Sequence, residues 1–140
     1  MDKTAMYAFL CRSRYGVLSY LSPAGTPRSA LVGVATTHEF EIVFDTVKTS
    51  RKYGDLRERP CCSIVLWPGG EQTVQLEGTA FEPEGADREG YREAYFAVWP
   101  DGRHRLSWPG LTHFVVRPRW IRCVDYDRSP PLIEEVRFPG

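Results

Sequence analysis

The sequence predicts a mainly β fold: a six-stranded antiparallel β-barrel with helical additions, formed by a single domain over residues 1–140. Three observations predict it. Short runs of alternating or continuous apolar residues outnumber the helical stretches. Clusters such as Ser22-Pro23-Ala24-Gly25-Thr26-Pro27 and Pro68-Gly69-Gly70 join neighbouring runs at turn length. There is no GxGxxG and no regular strand–helix alternation, which excludes a doubly wound nucleotide-binding fold.

Taken in order, Asp2 to Ser13 reads as a short amphipathic helix with Met6, Phe9 and Leu10 on one side. Gly16 to Leu21 is a strand, and Arg28 to Thr36 is a second, placing Ser29, Leu31 and Gly33 on one face and Arg28, Ala30 and Val32 on the other. Glu39 to Thr46 is the third strand and is expected to pair with the second. A helix from about Ser50 to Arg59 turns Tyr53 and Leu56 inward and stops at Pro60. Cys61 to Trp67 is almost wholly apolar, as for a strand buried on both sides, and Gln72 to Phe81 follows it. Asp87 to Val98 is a further helix, with Tyr91, Tyr95 and Val98 on one stripe; Gly90 weakens its first half. The last strand runs from Thr112 to Tyr126, where Pro118 marks a bulge or edge, and Glu77-Gly78 reads as a bulge opposite. The proline-containing tail, Arg128 to Gly140, reads as extended.

Composition narrows the partners. With 18 basic and 18 acidic side chains the net charge is zero, which supports neither nucleic-acid nor anionic-membrane binding. The apolar run Ala5 to Cys11 is too short for a membrane span and lacks signal-peptide flanks, so a cytoplasmic chain is expected. Cys11, Cys61, Cys62 and Cys123 have no CxxC spacing and read as buried reduced thiols, while His38, His104 and His113 are scattered; no metal site is expected.

The chemistry concentrates between Ile42 and Pro60. A strand ending at Asp45-Thr46 turns into a helix that opens Ser50-Arg51-Lys52. Hydroxyls, two cations and the free amides of a helix start therefore meet at one junction, which is how a phosphate is held. A capped, solvated helix start without a ligand is the competing reading.

The order and spacing of several pieces resemble the pyridoxamine 5'-phosphate oxidase-like family, the FMN-binding split barrels. The pieces are Pro27-Arg28-Ser29-Ala30, Ile42 to Thr46, Ser50-Arg51-Lys52, Leu56 to Ile64, Gln72 to Ala80 and Phe114 to Arg122. The resemblance implies a six-stranded antiparallel split β-barrel, paired as a homodimer with FMN at the interface and acting as an oxidoreductase on a small substrate. It assigns Arg28, Ser29, Ala30 and Leu31 to the flavin and its phosphate, Asp45 and Thr46 to strand-end contacts, and Ser50, Arg51 and Lys52 to the phosphate. It also assigns Gln72 or Thr73 to the ring or ribityl chain, and Trp120 to the partner subunit's flavin. Charge-assisted hydrogen bonds of about 1.5–3 kcal/mol each would anchor the phosphate. The Arg-Leu-His segment that handles substrate phosphate in true pyridoxamine phosphate oxidases has no counterpart here, which argues against vitamin B6 oxidation.

Alternatives remain within the same scaffold: a non-catalytic flavin, deazaflavin or haem binding module. Deazaflavin would need further cations such as Arg57 or Arg59, which otherwise read as solvated or ion-paired; haem would need His104 or His113. The loop from Trp99 to Gly110, two Trp-Pro pairs around Arg103-His104-Arg105, reads either as a lid over the ligand or, preferably, as a packing loop at the dimer interface.

Overall fold

Asp2 starts the first helix, α1 (Lys3–Cys11), by accepting a hydrogen bond from the Ala5 amide at 2.7 Å. A computed structural model describes residues 1–139. Within them the chain continues through β1 (Tyr15–Leu21), β2 (Pro27–Gly33), β3 (Ala35–Thr36), β4 (Ile42–Val47), α2 (Arg51–Glu58), β5 (Cys61–Gly69) and β6 (Gln72–Phe81). It ends with α3 (Gly85–Val98), a 3₁₀ helix (Pro100–Ser107), β7 (Leu111–Asp125) and β8 (Leu132–Arg137).

The fold is the expected mainly β antiparallel split barrel, but six strands is a correction: the described residues form seven strands of six residues or more and one of two. The sheet order is β2-β1-β5-β6-β7-β4-β3, with β8 also paired to β7. The extra strands have two causes. The predicted second strand breaks at buried Val34, whose amide donates to the Arg14 carbonyl; β2 pairs with β1 while β3 pairs with β4. One bent segment thus lies at both ends of the sheet and closes it. The extended tail, for its part, forms the ladder Trp120↔Arg137 to Asp125↔Leu132 with β7. The third strand accordingly makes its long ladder with β7, from Ile42↔Val116 to Val47↔Leu111, and only two pairs with β3.

Inside the barrel lie Leu18, Phe44, Ile64, Leu66, Leu76, Phe114 and Ile121, each at most 1 % exposed. Burying a side chain of this size contributes about 1.5–3 kcal/mol. Val43 and Val115 point the other way and pack with Tyr95 and Phe96 of α3, so β4 and β7 are covered on both faces. β5 instead alternates: Cys62, Ile64 and Leu66 are buried while Cys61, Val65 and Trp67 are exposed. The two-sided burial expected for it is therefore corrected. So is the burial of all four thiols, since Cys11 and Cys61 are exposed.

Close approaches at Gly33 and Gly78 mark two joints of the sheet. At Gly33 a Cβ would sit 3.0 Å from the Trp99 ring, whose Nε1 donates to the Val34 carbonyl at 3.0 Å. Trp99 thus plugs the seam where the barrel splits, with Arg14 4.3 Å above its ring. At Gly78 a Cβ would collide with the Arg117 carbonyl oxygen. There the register steps from Glu77↔Trp120 to Gly78↔Pro118, leaving Arg119 as the extra residue of a bulge.

Candidate functional site

β4 ends by sending neighbouring side chains to opposite faces. Thr46 turns toward α2, where its hydroxyl lies 2.8 Å from the Ser50 hydroxyl. Ser50 caps the helix: its own amide donates to Val47 and its Oγ accepts from the Tyr53 amide. Of the four amides a helix start leaves without intrahelical partners, those of Arg51 and Lys52 therefore stay open. No acidic residue sits in the first turn, and among the described residues neither Arg51 nor Lys52 forms an ion pair. The helix end presents two amides, two hydroxyls and two unpaired cations.

The flanking cations are differently disposed. Arg28 donates to Asp55 at 2.7 Å, and Arg59 holds the other oxygen of that buried carboxylate at 3.2 Å. The trio carries one net positive charge, held at Asp55 within α2. Arg57 pairs with Glu82 at 2.8 Å and also donates to the Tyr53 hydroxyl. Burial pushes the Glu82 carboxyl up, but hydrogen bonds from Thr112, Tyr53 and Arg57 outweigh it and hold the group below the usual range.

Asp45 faces the other way. It accepts from Arg105 of the 3₁₀ helix at 2.7 Å and lies opposite His113 in the β4–β7 ladder. His113 is fully buried, with Tyr95 and Phe96 edge-on to its ring and neither ring nitrogen hydrogen-bonded. Desolvation pushes its pKa down to about 4.

The remaining predicted residues occupy the outer sheet face or the far end of the barrel. Ser29 and Leu31 point outward from β2, with Ala30 half-buried between them. Thr73 is exposed, and Gln72 donates to Asp125 at 3.1 Å with its other side-chain atom, Oε1, buried and unpartnered. Both stand at the β5–β6 turn, the opposite end of β5 from α2. Trp120 lies outward on β7 beside Glu77 and donates to Glu135 at 2.8 Å. One chain thus brings together Thr46, Ser50, Arg51 and Lys52, with Arg28 tied to Asp55 about one turn further along α2, but not Thr73 or Trp120.

Sequence reasoning missed the roles of Asp55 and Arg105. The Asp55–Arg59 pair has i,i+4 spacing and was readable; the Asp45–Arg105 pair spans sixty residues and had no local signal. Also missed was a groove of about 970 Å³ between α1 and α3 that none of the predicted residues lines.

Comparisons with known proteins agree with the fold. The sequence pattern of the family described as pyridoxamine 5'-phosphate oxidase matches residues 3–124. No curated protein matches the chain. Among solved structures, a heme binding protein from Mycobacterium smegmatis superposes with TM-score 0.83 at 18 % identity, covering 98 % of this chain and 58 % of that one. The chain therefore spans little more than half that relative's length. A pyridoxamine 5'-phosphate oxidase-related, FMN binding protein from Nostoc punctiforme gives 0.70 at 14 % identity, covering 98 % and 96 %. General Stress Protein 26 from Bacillus anthracis gives 0.74 at 20 %, covering 97 % and 98 %. These likenesses are of fold, whereas the family pattern extends over most of the chain: the protein belongs to the pyridoxamine 5'-phosphate oxidase family.

Proposed function

We propose that the chain is an FMN-dependent oxidoreductase of a small substrate, working as a homodimer with the cofactor at the subunit interface. The observation that carries this reading is the start of α2. Two open amides, Ser50, and the unpaired Arg51 and Lys52 suit a phosphate dianion, with the Arg28–Asp55–Arg59 trio adding one positive charge nearby. Flavin, when bound, supplies the redox chemistry; these residues hold and orient it.

Dimerisation has its own support. Leu31, Val17 and Val65 align across β2, β1 and β5 on the outer face, at 71, 41 and 46 % exposure, beside exposed Tyr15 and Trp67. An apolar patch of this kind suits a protein partner. Thr73 and Trp120 share the outer face, so a flavin seated at α2 would meet such residues only from a second copy.

The FMN-binding relative adds weight to the cofactor, and the haem-binding one keeps haem as the second reading. Haem fits the histidines less well: His113 is sealed in the core, leaving exposed His104. Deazaflavin is disfavoured by the pairing of Arg57 and Arg59 with Glu82 and Asp55.

The test is an ultraviolet–visible spectrum of purified protein, mass identification of any released group, and reduction by NADH or NADPH. Flavin bands, an FMN mass and turnover are expected. Flavin without turnover would indicate a storage or sensing module, and a Soret band would indicate haem. A colourless protein that does not take up FMN would overturn the cofactor assignment.

A further inference from the structure

His113 is fully buried in β7, and neither of its ring nitrogens has a hydrogen-bond partner. A buried polar group left this way is a cost that the fold carries for a reason. Each element packed on the ring contributes something specific. β4 places Asp45 directly across the strand pair. α3 supplies the Tyr95 and Phe96 rings, with centroids 5.2 and 5.6 Å away, and Arg92, whose Nε is buried and unpartnered. The 3₁₀ helix lies outside those two rings, with Gly102 close against both, and sends Arg105 to Asp45 at 2.7 Å. Two further charges nearby are already matched. Arg103 lies over Phe96 but pairs with Glu93 at 2.8 Å, and Glu82, beyond the end of β6, takes the hydroxyl of Thr112 on the opposite face of β7.

The contact between Asp45 and Arg105 has the features of a joint. Among the described residues it is the only side-chain hydrogen bond that ties Pro100–Ser107 to the sheet. The Arg105 side chain keeps 28 % of its surface exposed, so its guanidinium has a short way to water. The charges beside the ring are also unequal, one anion, Asp45, against two cations, Arg92 and Arg105. Burial, helped by those cations and opposed by Asp45, pushes the imidazole down to about 4. A proton taken from solvent adds a third cation where water does not reach. The fold is relieved when the cross-strand carboxylate takes the imidazolium and the cation nearest solvent leaves.

We propose that Asp45 is a two-position latch that reads the protonation of His113 and holds or releases the 3₁₀ helix. With the ring neutral, Asp45 accepts from Arg105 and keeps the helix against α3 and the sheet. With the ring protonated, His113 donates to Asp45, Arg105 turns to solvent, and the helix lifts from Tyr95 and Phe96 while the barrel stays closed. The device goes beyond the cofactor reading and operates without flavin.

The experiment is hydrogen exchange read by mass spectrometry on the purified chain without added flavin, at about pH 7.5 and about pH 4.5, with protection taken relative to the free-amide rate at each pH. Protection of Pro100–Ser107 is expected to fall about tenfold or more at the lower pH, where it should lie at least about tenfold below that of the β5–β6 ladder. His113→Leu has no proton to take up and should hold the helix's protection within about twofold between the two conditions. Arg105→Ala should leave the helix loose at both. A second readout needs no change at His113: nuclear magnetic resonance of its ring at the lower pH should show a slowly exchanging N–H that Asp45→Asn abolishes. Helix protection that does not respond to pH, or that equals the β5–β6 ladder's at the lower pH, would overturn the proposal. So would an acid response that persists in His113→Leu, or a ring N–H indifferent to Asp45→Asn.

Discussion

Asp45 and Thr46 are neighbours on one strand, yet they open two regions of opposite character. Thr46 faces the start of α2, where two amides and two cations are left without protein partners. Asp45 faces the 3₁₀ helix, where its charge is matched by Arg105 and the adjoining His113 is shut away from water. In that region burial pushes the Tyr95 hydroxyl up to about 12, and the Asp45 carboxylate holds Arg105 more firmly protonated. The first region retains unmet hydrogen-bonding capacity open to a ligand; the second pairs its charges internally and seals its unmet groups, the His113 ring nitrogens, in the core, and so contributes to holding α3 and the 3₁₀ helix on the sheet. Strand alternation alone separates the two roles.

If this contrast is right, variants at α2 should change cofactor affinity and not stability. The largest expected effect is at Arg51→Ala with Lys52→Ala. Loss of two charge-assisted contacts, about 3–6 kcal/mol together, should weaken FMN by roughly a hundredfold to ten-thousandfold. Full FMN occupancy in that double variant, read by absorbance, would sink the assignment.

On the closed side the largest effect is with pH. His113 has a folded-state pKa below its ordinary 6.5, at about 4, so the unfolded chain binds its proton first. Its contribution is fully present above pH 6.5 and is lost as pH falls through that value toward 4. The loss by pH 4.5 should be about 2 kcal/mol, seen in urea midpoints, and His113→Leu should flatten this part of the profile. An unchanged slope in that variant would remove His113 from the account.

Asp55→Asn tests the border between the regions. It leaves Arg28 and Arg59 facing each other and should cost about 1–2 kcal/mol of stability, moderated by their partial exposure. FMN affinity should hold or rise, because a nearby negative charge is gone; a marked fall would mean that Asp55 positions Arg28 for the phosphate.

The smallest effect expected is that of Arg105→Ala, about 1 kcal/mol, appearing as faster proteolysis within Pro100–Ser107 with FMN uptake unchanged. Loss of flavin in this variant would give the 3₁₀ helix a role in binding and erase the contrast.

Much of this was open to reading in the chain itself. The alternation in Gly16–Leu21 and Gln72–Phe81, the turn chemistry between strands, the serine cap before Arg51-Lys52 and the proline beside the bulge are local properties, set within a few residues by backbone sterics and side-chain period. They determined the fold class, the helix start and its phosphate-suited chemistry. Other features depended on neighbours far along the sequence. The break at Val34 follows from a seam that Trp99 fills from sixty-five residues away, and the tail becomes β8 because β7 offers it an edge. That Asp45 pairs with Arg105, and that α1, α3 and the β3–β4 turn line a groove, likewise follow from long-range packing. Local interactions have a period that the sequence displays. A contact between distant segments has none, and only the folded chain brings its two halves together.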